Sequence, residues 1–324
     1  MLNTRLCDLL GIEHPIVSAP MAGAAGGELV AAVSEAGGFG LIGNGSASTP
    51  EWLRDQIRLV RERTDRPFGV GFISSFPGLD DLIKVALEER VTAVSHSFAD
   101  PTAYVPAEHE AGIKVLAQVQ KVSHAKRVAL AGVDAITAQG TEAGGHTGHN
   151  GTLPMVPAVI DVAGDIPVIA AGGIADGRGL AAVLMLGAEG AWIGTRFVAS
   201  AESAREDWMK DHIVRASSDD TILTKAYDLT SGAAFPLDVG DRVLSNEFTR
   251  EWHGRDAEVV RNRAELQQRV AAGVQARDAG VANILAGTAV GLFSSIEPAG
   301  VILRRIVEEA EAILNMRPSE VLGR

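Results

Sequence analysis

Short apolar runs rich in β-branched residues alternate with longer amphipathic stretches along the first two-thirds of the chain. Eight such runs read as buried strands: Ile16–Ala19, Gly40–Ile42, Phe68–Phe72, Ala93–Ser97, Lys114–Val119, Ala135–Ala138, Val168–Ala171 and Gly190–Ile193. Apolar positions at helical spacing fall between them, in Glu28–Ala36, Glu51–Arg63, Asp81–Glu89, Val122–Ala131, Met155–Ala163 and Arg178–Leu186. Thr49-Pro50 supplies a start signal for the second of these helices, Lys121 and Pro154 precede two others, and Asp176 is the N-cap of the last. The connection Asp100–Gly112 has no clear helical pattern.

Strands separated by helices pair in parallel through right-handed crossovers. Eight units between roughly residues 14 and 205 predict an α/β fold, a (β/α)8 TIM barrel. Periodicity does not report closure of a sheet, so a doubly wound open sheet is the alternative. After residue 205 the texture changes. Asp207–Asp220 is polar, Glu251–Arg277 is charged with a helical pattern, and Val301–Leu314 is amphipathic. The nearly uncharged Ala286–Pro298 is expected to pack against something. The chain therefore divides into a barrel, 1–205, and a mostly helical appendage, 206–324, that covers the barrel mouth and returns its closing helix to the barrel. The charged run in Glu251–Arg277 reads as a solvated face rather than a binding surface.

Charge and composition narrow the function classes. Asp and Glu number 41 against 29 Lys and Arg, a net charge of −12, which argues against nucleic-acid or anionic-membrane binding. The single Cys7 excludes an intrachain disulfide and a multi-cysteine zinc site. The first residues carry no basic-then-apolar leader pattern, and charge or glycine interrupts every long apolar stretch. The expectation is a soluble, cytoplasmic protein of open oligomeric state that acts on a small molecule.

Candidate chemistry gathers just after strand ends, where barrel sites lie. The seventh predicted strand ends in Gly172-Gly173-Ile174 and the eighth in Gly194-Thr195-Arg196. Glycine there lets backbone N–H groups approach an anion, and a helix starting at Thr195 would add its positive end and a hydroxyl donor. Either glycine set alone would be read as a tight turn. The two together, at the usual phosphate position, point to a phosphate-bearing ligand. After the sixth strand comes Gln139-Gly140-Thr141-Glu142-Ala143-Gly144-Gly145-His146-Thr147-Gly148-His149, with four glycines and two histidines. This composition suits a loop over a flat ligand, with His146 as general base or hydrogen-bond donor. A metal on His146 and His149 is the rival reading, but glycine makes a helical i,i+3 pair unfavourable and no third ligand is evident. His149 is assigned a surface or structural role. Ala19-Pro20-Met21 after the first strand would let a ring lie flat, although Met21 fits a core role equally well. Gln118 and Gln120 are neutral amides for a ring's polar edge.

Ala19-Pro20-Met21, Gln139 to His146, Ala170 to Gly179 and Gly194-Thr195-Arg196-Phe197 together resemble the nitronate monooxygenase family, in order and spacing, from about residue 5 to 205. The resemblance implies an FMN-dependent barrel oxidoreductase. Its phosphate site would be Gly172, Gly173, Gly194 and Thr195, with the flavin ring against Ala19, Pro20 and Met21. Gln118, Gln139 and Gly144 would lie near the ring's polar edge, and His146 aligns with the catalytic histidine. The activity implied is oxidation of alkyl nitronates with dioxygen, His146 serving as base or anion holder. Relatives with the same motifs include NAD(P)H-dependent enoyl-acyl carrier protein reductases and quinone reductases, which form the alternative. For a carrier protein, Arg205, Arg215 and Lys225 would have to form a basic patch at the rim. Two positions depart from the family pattern. Gly71 stands where many relatives have asparagine, which is expected to widen the site, and Gln118 stands where a basic residue is common.

Overall fold

The computed structural model describes residues 2–323, so the chain ends Met1 and Arg324 lie outside the described residues. Eight parallel strands form the barrel: β1 (Ile16–Ser18), β2 (Gly40–Gly43), β3 (Phe68–Ile73), β4 (Ala93–Ser97), β5 (Lys114–Val119), β6 (Ala135–Gln139), β8 (Val168–Ala171) and β9 (Gly190–Ile193). They pair in the order β1-β9-β8-β6-β5-β4-β3-β2. The ring closes between β1 and β2, where the Ser18 amide donates to Phe39 O and the Phe39 amide to Ile16 O, each at 2.9 Å. The open-sheet alternative is thereby removed. Val17, Leu41, Leu116, Ile169 and Trp192 pack with Phe39 in one buried cluster, while Ile42, Val70, Val94, Val115 and Ile136 belong to the larger cluster beneath the helices. This alternation is the two-residue period of a strand buried on both faces.

Local chemistry sets the helix ends. Thr49 accepts a hydrogen bond from the Trp52 amide at 3.2 Å ahead of Pro50, and Leu53, Ile57 and Val60 form the buried face of Pro50–Arg63. Asp176 caps Gly177–Met185 by accepting from Gly179 N at 3.1 Å, as expected. The helix expected to follow Pro154 instead begins at Thr152, because the Glu142 carboxylate accepts from the Thr152 amide and hydroxyl and stabilises an earlier first turn. The unclear connection Asp100–Gly112 contains a one-and-a-half-turn helix, Val105–Glu110. Its Glu108 is fully buried and bonds His96 Nε2 at 2.9 Å, so a charged residue occupies an inward position that pattern reading treats as polar surface.

Beyond the barrel the chain is less purely helical than the sequence suggests. Two strands, β10 (Thr221–Thr224) and β11 (Gly240–Leu244), form an antiparallel hairpin, and β11 also pairs with β7 (Gly145–Thr147). The glycine-rich stretch carrying His146 is therefore a short strand, not a free loop. The charged run Glu251–Arg277 is split among helices Glu247–Trp252, Asp256–Arg261 and Arg263–Gln275. The last helix, Ala299–Leu322, runs back along Gly177–Met185 and Gly27–Glu35, as the closing amphipathic pattern predicts. Gly177 allows the approach, since a Cβ there would stand 2.2 Å from Glu309 Cβ. No helix among the described residues is long and apolar enough to cross a membrane.

Candidate active site

The C-terminal ends of the barrel strands open into a cavity of about 320 Å3. Ala19, Pro20, Met21, Gln118, Gln139, Gly144, His146, Gly172, Gly173, Gly194 and Thr195 all line it, whereas Gln120, the other amide expected at a ring's polar edge, is buried behind the wall and donates to Gln139. Phe72, Ile73, Phe76, Phe98, Phe235 and Leu285 give the cavity an apolar side.

The floor depends on two missing side chains. Gly43 and Gly71 are partners across β2 and β3. A Cβ on Gly43 would meet the Met21 backbone at 2.4 Å, and one on Gly71 would meet Pro20 Cβ at 2.2 Å. The Pro20-Met21 turn thus lies directly on these glycines. Gly71 does not widen the site as expected, because the Pro20 ring fills the space. Gly71→Ala should cost about 1–3 kcal/mol through overpacking. Pro20→Gly should recover part of that loss in the double variant, measured by urea unfolding. Strictly additive losses would show that the two positions do not compete for this space.

The glycine wall combines ligand access with close packing. Gly172 and Gly173 have φ values of +103° and +75°, in the region that favours glycine. Gly144 passes so near the 286–287 segment that a Cβ would stand 2.5 Å from Gly287 N. The nearly uncharged Ala286–Pro298 stretch, expected to pack against something, meets the His146 segment here. Thr195 Oγ1 accepts from Gly287 N at 2.9 Å, leaving its own proton for another acceptor. The helix starting at Thr195 is only Thr195–Val198, so its dipole is that of a single turn. Arg205 lies at the same cavity, not in a rim patch; it hydrogen-bonds Ala22 O at 3.1 Å, and burial lowers its pKa. Lys225 is occupied with Leu237 O.

Gln139 spends its amide within the protein. Its Oε1 accepts from Gln120 Nε2 at 2.8 Å and its Nε2 donates to His146 O at 3.1 Å, which braces β7 against β6. His149, by contrast, is exposed.

The appendage supplies three further contacts to His146. Nε2 lies 2.8 Å from Asp228 Oδ1, in helix Ala226–Ser231. Nδ1 lies 4.0 Å from Asp241 Oδ1 on β11, where Asp241 and His146 are directly paired in register. Phe235 stacks on the imidazole, with ring centroids 3.4 Å apart and planes at 11°. Burial pulls the His146 pKa down, but the Asp228 hydrogen bond and the charges of Asp241 and Asp228 outweigh it, so the net direction is up. Burial in turn raises Asp241 to about 6 against the opposing pull of His146. Neither aspartate nor Phe235 was identified from sequence as part of the site. They lie 82 or more residues from His146, and only the unforeseen β7–β11 pairing brings them there.

Residues 3–82 and 76–309 match the sequence profile of nitronate monooxygenases. The chain belongs to the nitronate monooxygenase family. It is accordingly an oxidoreductase of a flavin-dependent family. FabK from Thermotoga maritima is 40% identical, with a TM-score of 0.90 over 99% of this chain and 100% of that one. A Mycobacterium tuberculosis (3aS,4S,5R,7aS)-5-hydroxy-7a-methyl-1-oxo-octahydro-1H-indene-4-carboxyl-CoA dehydrogenase is 40% identical over 229 residues; the match spans 70% of this chain and 64% of that relative's length. A probable nitronate monooxygenase of Staphylococcus aureus is 34% identical over 304 residues, which is 76% of this chain and 85% of the relative.

Proposed function

We propose that this family member is an FMN-dependent reductase that uses NAD(P)H to saturate the double bond of an apolar 2-enoyl thioester. The observation that carries this reading is the pair of carboxylates around His146. Two carboxylates around the ring favour the protonated imidazole, a proton donor, over the free base needed to deprotonate a nitroalkane. One imidazolium between two aspartates also does little to attract an anionic nitronate. A neutral substrate that gains negative charge as it reacts suits the site better.

The residues present fit a flavin mononucleotide. Gly172, Gly173, Gly194 and Thr195 would hold the phosphate, with Arg205, which has no carboxylate partner among the described ion pairs, as its counter-charge. Ala19, Pro20 and Met21 would support the ring, and Gln118, Gln139 and Gly144 would lie near its polar edge. A bound flavin would supply the redox chemistry, hydride transfer from the nicotinamide to the thioester's β-carbon. His146 gives the balancing proton to the α-carbon and regains one from solvent. The apolar wall of Phe72, Ile73, Phe76 and Phe98 excludes water around the acyl chain. In this reading residues 1–205 are the barrel and 206–324 are its lid, since Asp228, Phe235 and Asp241 all come from the later segment. Similarity to a carboxyl-CoA dehydrogenase supports the thioester class.

Nitronate oxidation with dioxygen is the second reading, favoured by 34% identity to a probable nitronate monooxygenase. The two readings separate in deuterium oxide. With NADPH and crotonyl-CoA, the reductase yields butyryl-CoA with solvent deuterium at the α-carbon. No saturated product, together with oxygen consumption on propionate 3-nitronate, would reverse the choice.

A further inference from the structure

Asp241 is the most anomalous charged group in the site. Its side chain is fully buried, Oδ2 accepts from Asn283 Nδ2 at 2.9 Å, and Oδ1 has no hydrogen-bond partner. A buried carboxylate oxygen left without a partner is costly, and such a group calls for an explanation. That oxygen is the one facing His146 Nδ1 at 4.0 Å, across a directly paired position of β7 and β11. The other ring nitrogen already faces Asp228 Oδ1 at 2.8 Å.

The geometry constrains the proton count. A neutral imidazole has one N–H and one lone pair. If Nε2–H serves Asp228, a neutral ring turns its Nδ1 lone pair toward the Asp241 carboxylate, acceptor against acceptor. One additional proton between Nδ1 and Asp241 removes the conflict. Among the described residues, the charges that act on the ring are those of Asp228 and Asp241. Phe235 stacks on one face and Phe98 meets it edge-on at 6.1 Å. Tyr227, on the helix with Asp228, is held neutral by burial, and Arg242, next along β11, donates to Thr141 O.

We propose that Asp241 is a positioning residue for His146, its buried carboxylate serving as the counter-charge that keeps the imidazole protonated on both nitrogens and aligned for proton donation. Asp228 orients the ring and Asp241 holds the second proton. The catalytic meaning of this assignment rests on the proton-donor reading above, but the charge state does not, so the two can fail separately. Burial raises the Asp241 pKa to about 6, and the charge of His146 pulls against that rise, as a counter-charge should.

The test is nitrogen-15 NMR of the purified flavoprotein labelled in its imidazole rings, with His146 assigned through His146→Gln. At pH 7 the wild-type ring should carry protons on both nitrogens, and its titration midpoint should lie above that of an ordinary histidine. Asp241→Asn should lower that midpoint by at least one pH unit and bring the alkaline limb of the kcat profile down with it. Asp241→Glu should restore part of both shifts. A neutral wild-type ring at pH 7, an unchanged midpoint in Asp241→Asn, or a signal that moves on chelator treatment because a metal ion had been holding the three side chains would each overturn the assignment. The wild-type spectrum decides the matter even if Asp241→Asn fails to fold. Double protonation without any thioester reduction would keep the charge assignment and remove the proposed reaction.

Discussion

Replacing His146 with glutamine is expected to lower kcat for enoyl thioester reduction by about 10²–10⁴-fold, the usual contribution of a positioned acid. Reduction of the flavin by NADPH should stay near wild type, because no proton from His146 enters that half of the cycle. Glutamine retains a donor that can reach Asp228 and keeps a planar group beneath Phe235, so the cavity should survive the change. Stopped-flow measurement of the two half-reactions separates these effects. Equal losses in both would mean that the substitution disturbed the flavin site rather than the proton. The sign of the pH dependence follows from the raised pKa of His146. The donor form is complete below the ordinary imidazole value and is lost only as pH climbs through the higher folded value. The reductive activity should therefore fall on the alkaline side, at a higher pH than an ordinary imidazole would give.

The second large effect lies away from the chemistry. Glu297→Ala should destabilise the protein by about 3 kcal/mol, because it strips the counter-charge from a buried arginine. Arg196 is 1% exposed and belongs to the motif that resembles a phosphate site, yet it points into the protein. Its guanidinium donates to Ala199 O at 3.2 Å, Ser295 O at 3.0 Å and Glu297 Oε2 at 2.6 Å, and lies over the Phe293 ring. Glu297 in turn binds Arg305 at 2.9 and 2.6 Å, which ties the closing helix to the end of β9. The Arg305 hydrogen bond leads the effects that push Glu297 down to about 2. A depressed carboxylate stabilises the fold above its unfolded value and loses that contribution as pH falls toward 2. Urea unfolding at pH 7 and at pH 3 should show the wild type and Glu297→Ala drawing closer in the acid. A variant as stable as wild type at pH 7 would show that Arg196 is held by its carbonyl partners alone.

The barrel was legible because each of its strands is a short apolar run buried on both faces, and the strand order then follows from the crossover rule. The glycines at the ends of β8 and β9 were legible for a similar reason, since barrel geometry commonly gives those positions to ligands. What remained hidden depended on distant partners. Gly71 read as a widening of the site, but the Pro20 ring occupies its side-chain space. Asp228 and Asp241 sit in an acidic chain whose carboxylates are mostly solvated, and nothing local marks these two as buried. The strand β11 that carries Asp241 contains Asp241 and Arg242 within five residues, so it lacks a clean alternating pattern. Its pairing with β7 fixes it, and β7 was read as a loop because of its glycines. Arg196 sits beside Thr195 in the sequence, but the one-turn helix between them and the closing segment turns it inward.

The central claim is that this family member accepts electrons from a nicotinamide nucleotide and delivers them, with a proton from His146, to a neutral unsaturated thioester. Anaerobic visible spectroscopy of the purified protein tests it most directly, with NADPH in one cuvette and propionate 3-nitronate in another, followed by crotonyl-CoA in the first. The account predicts rapid bleaching of the flavin by NADPH and return of the yellow colour when the thioester is added. Bleaching by the nitronate but not by NADPH, with no response to the thioester, would contradict it.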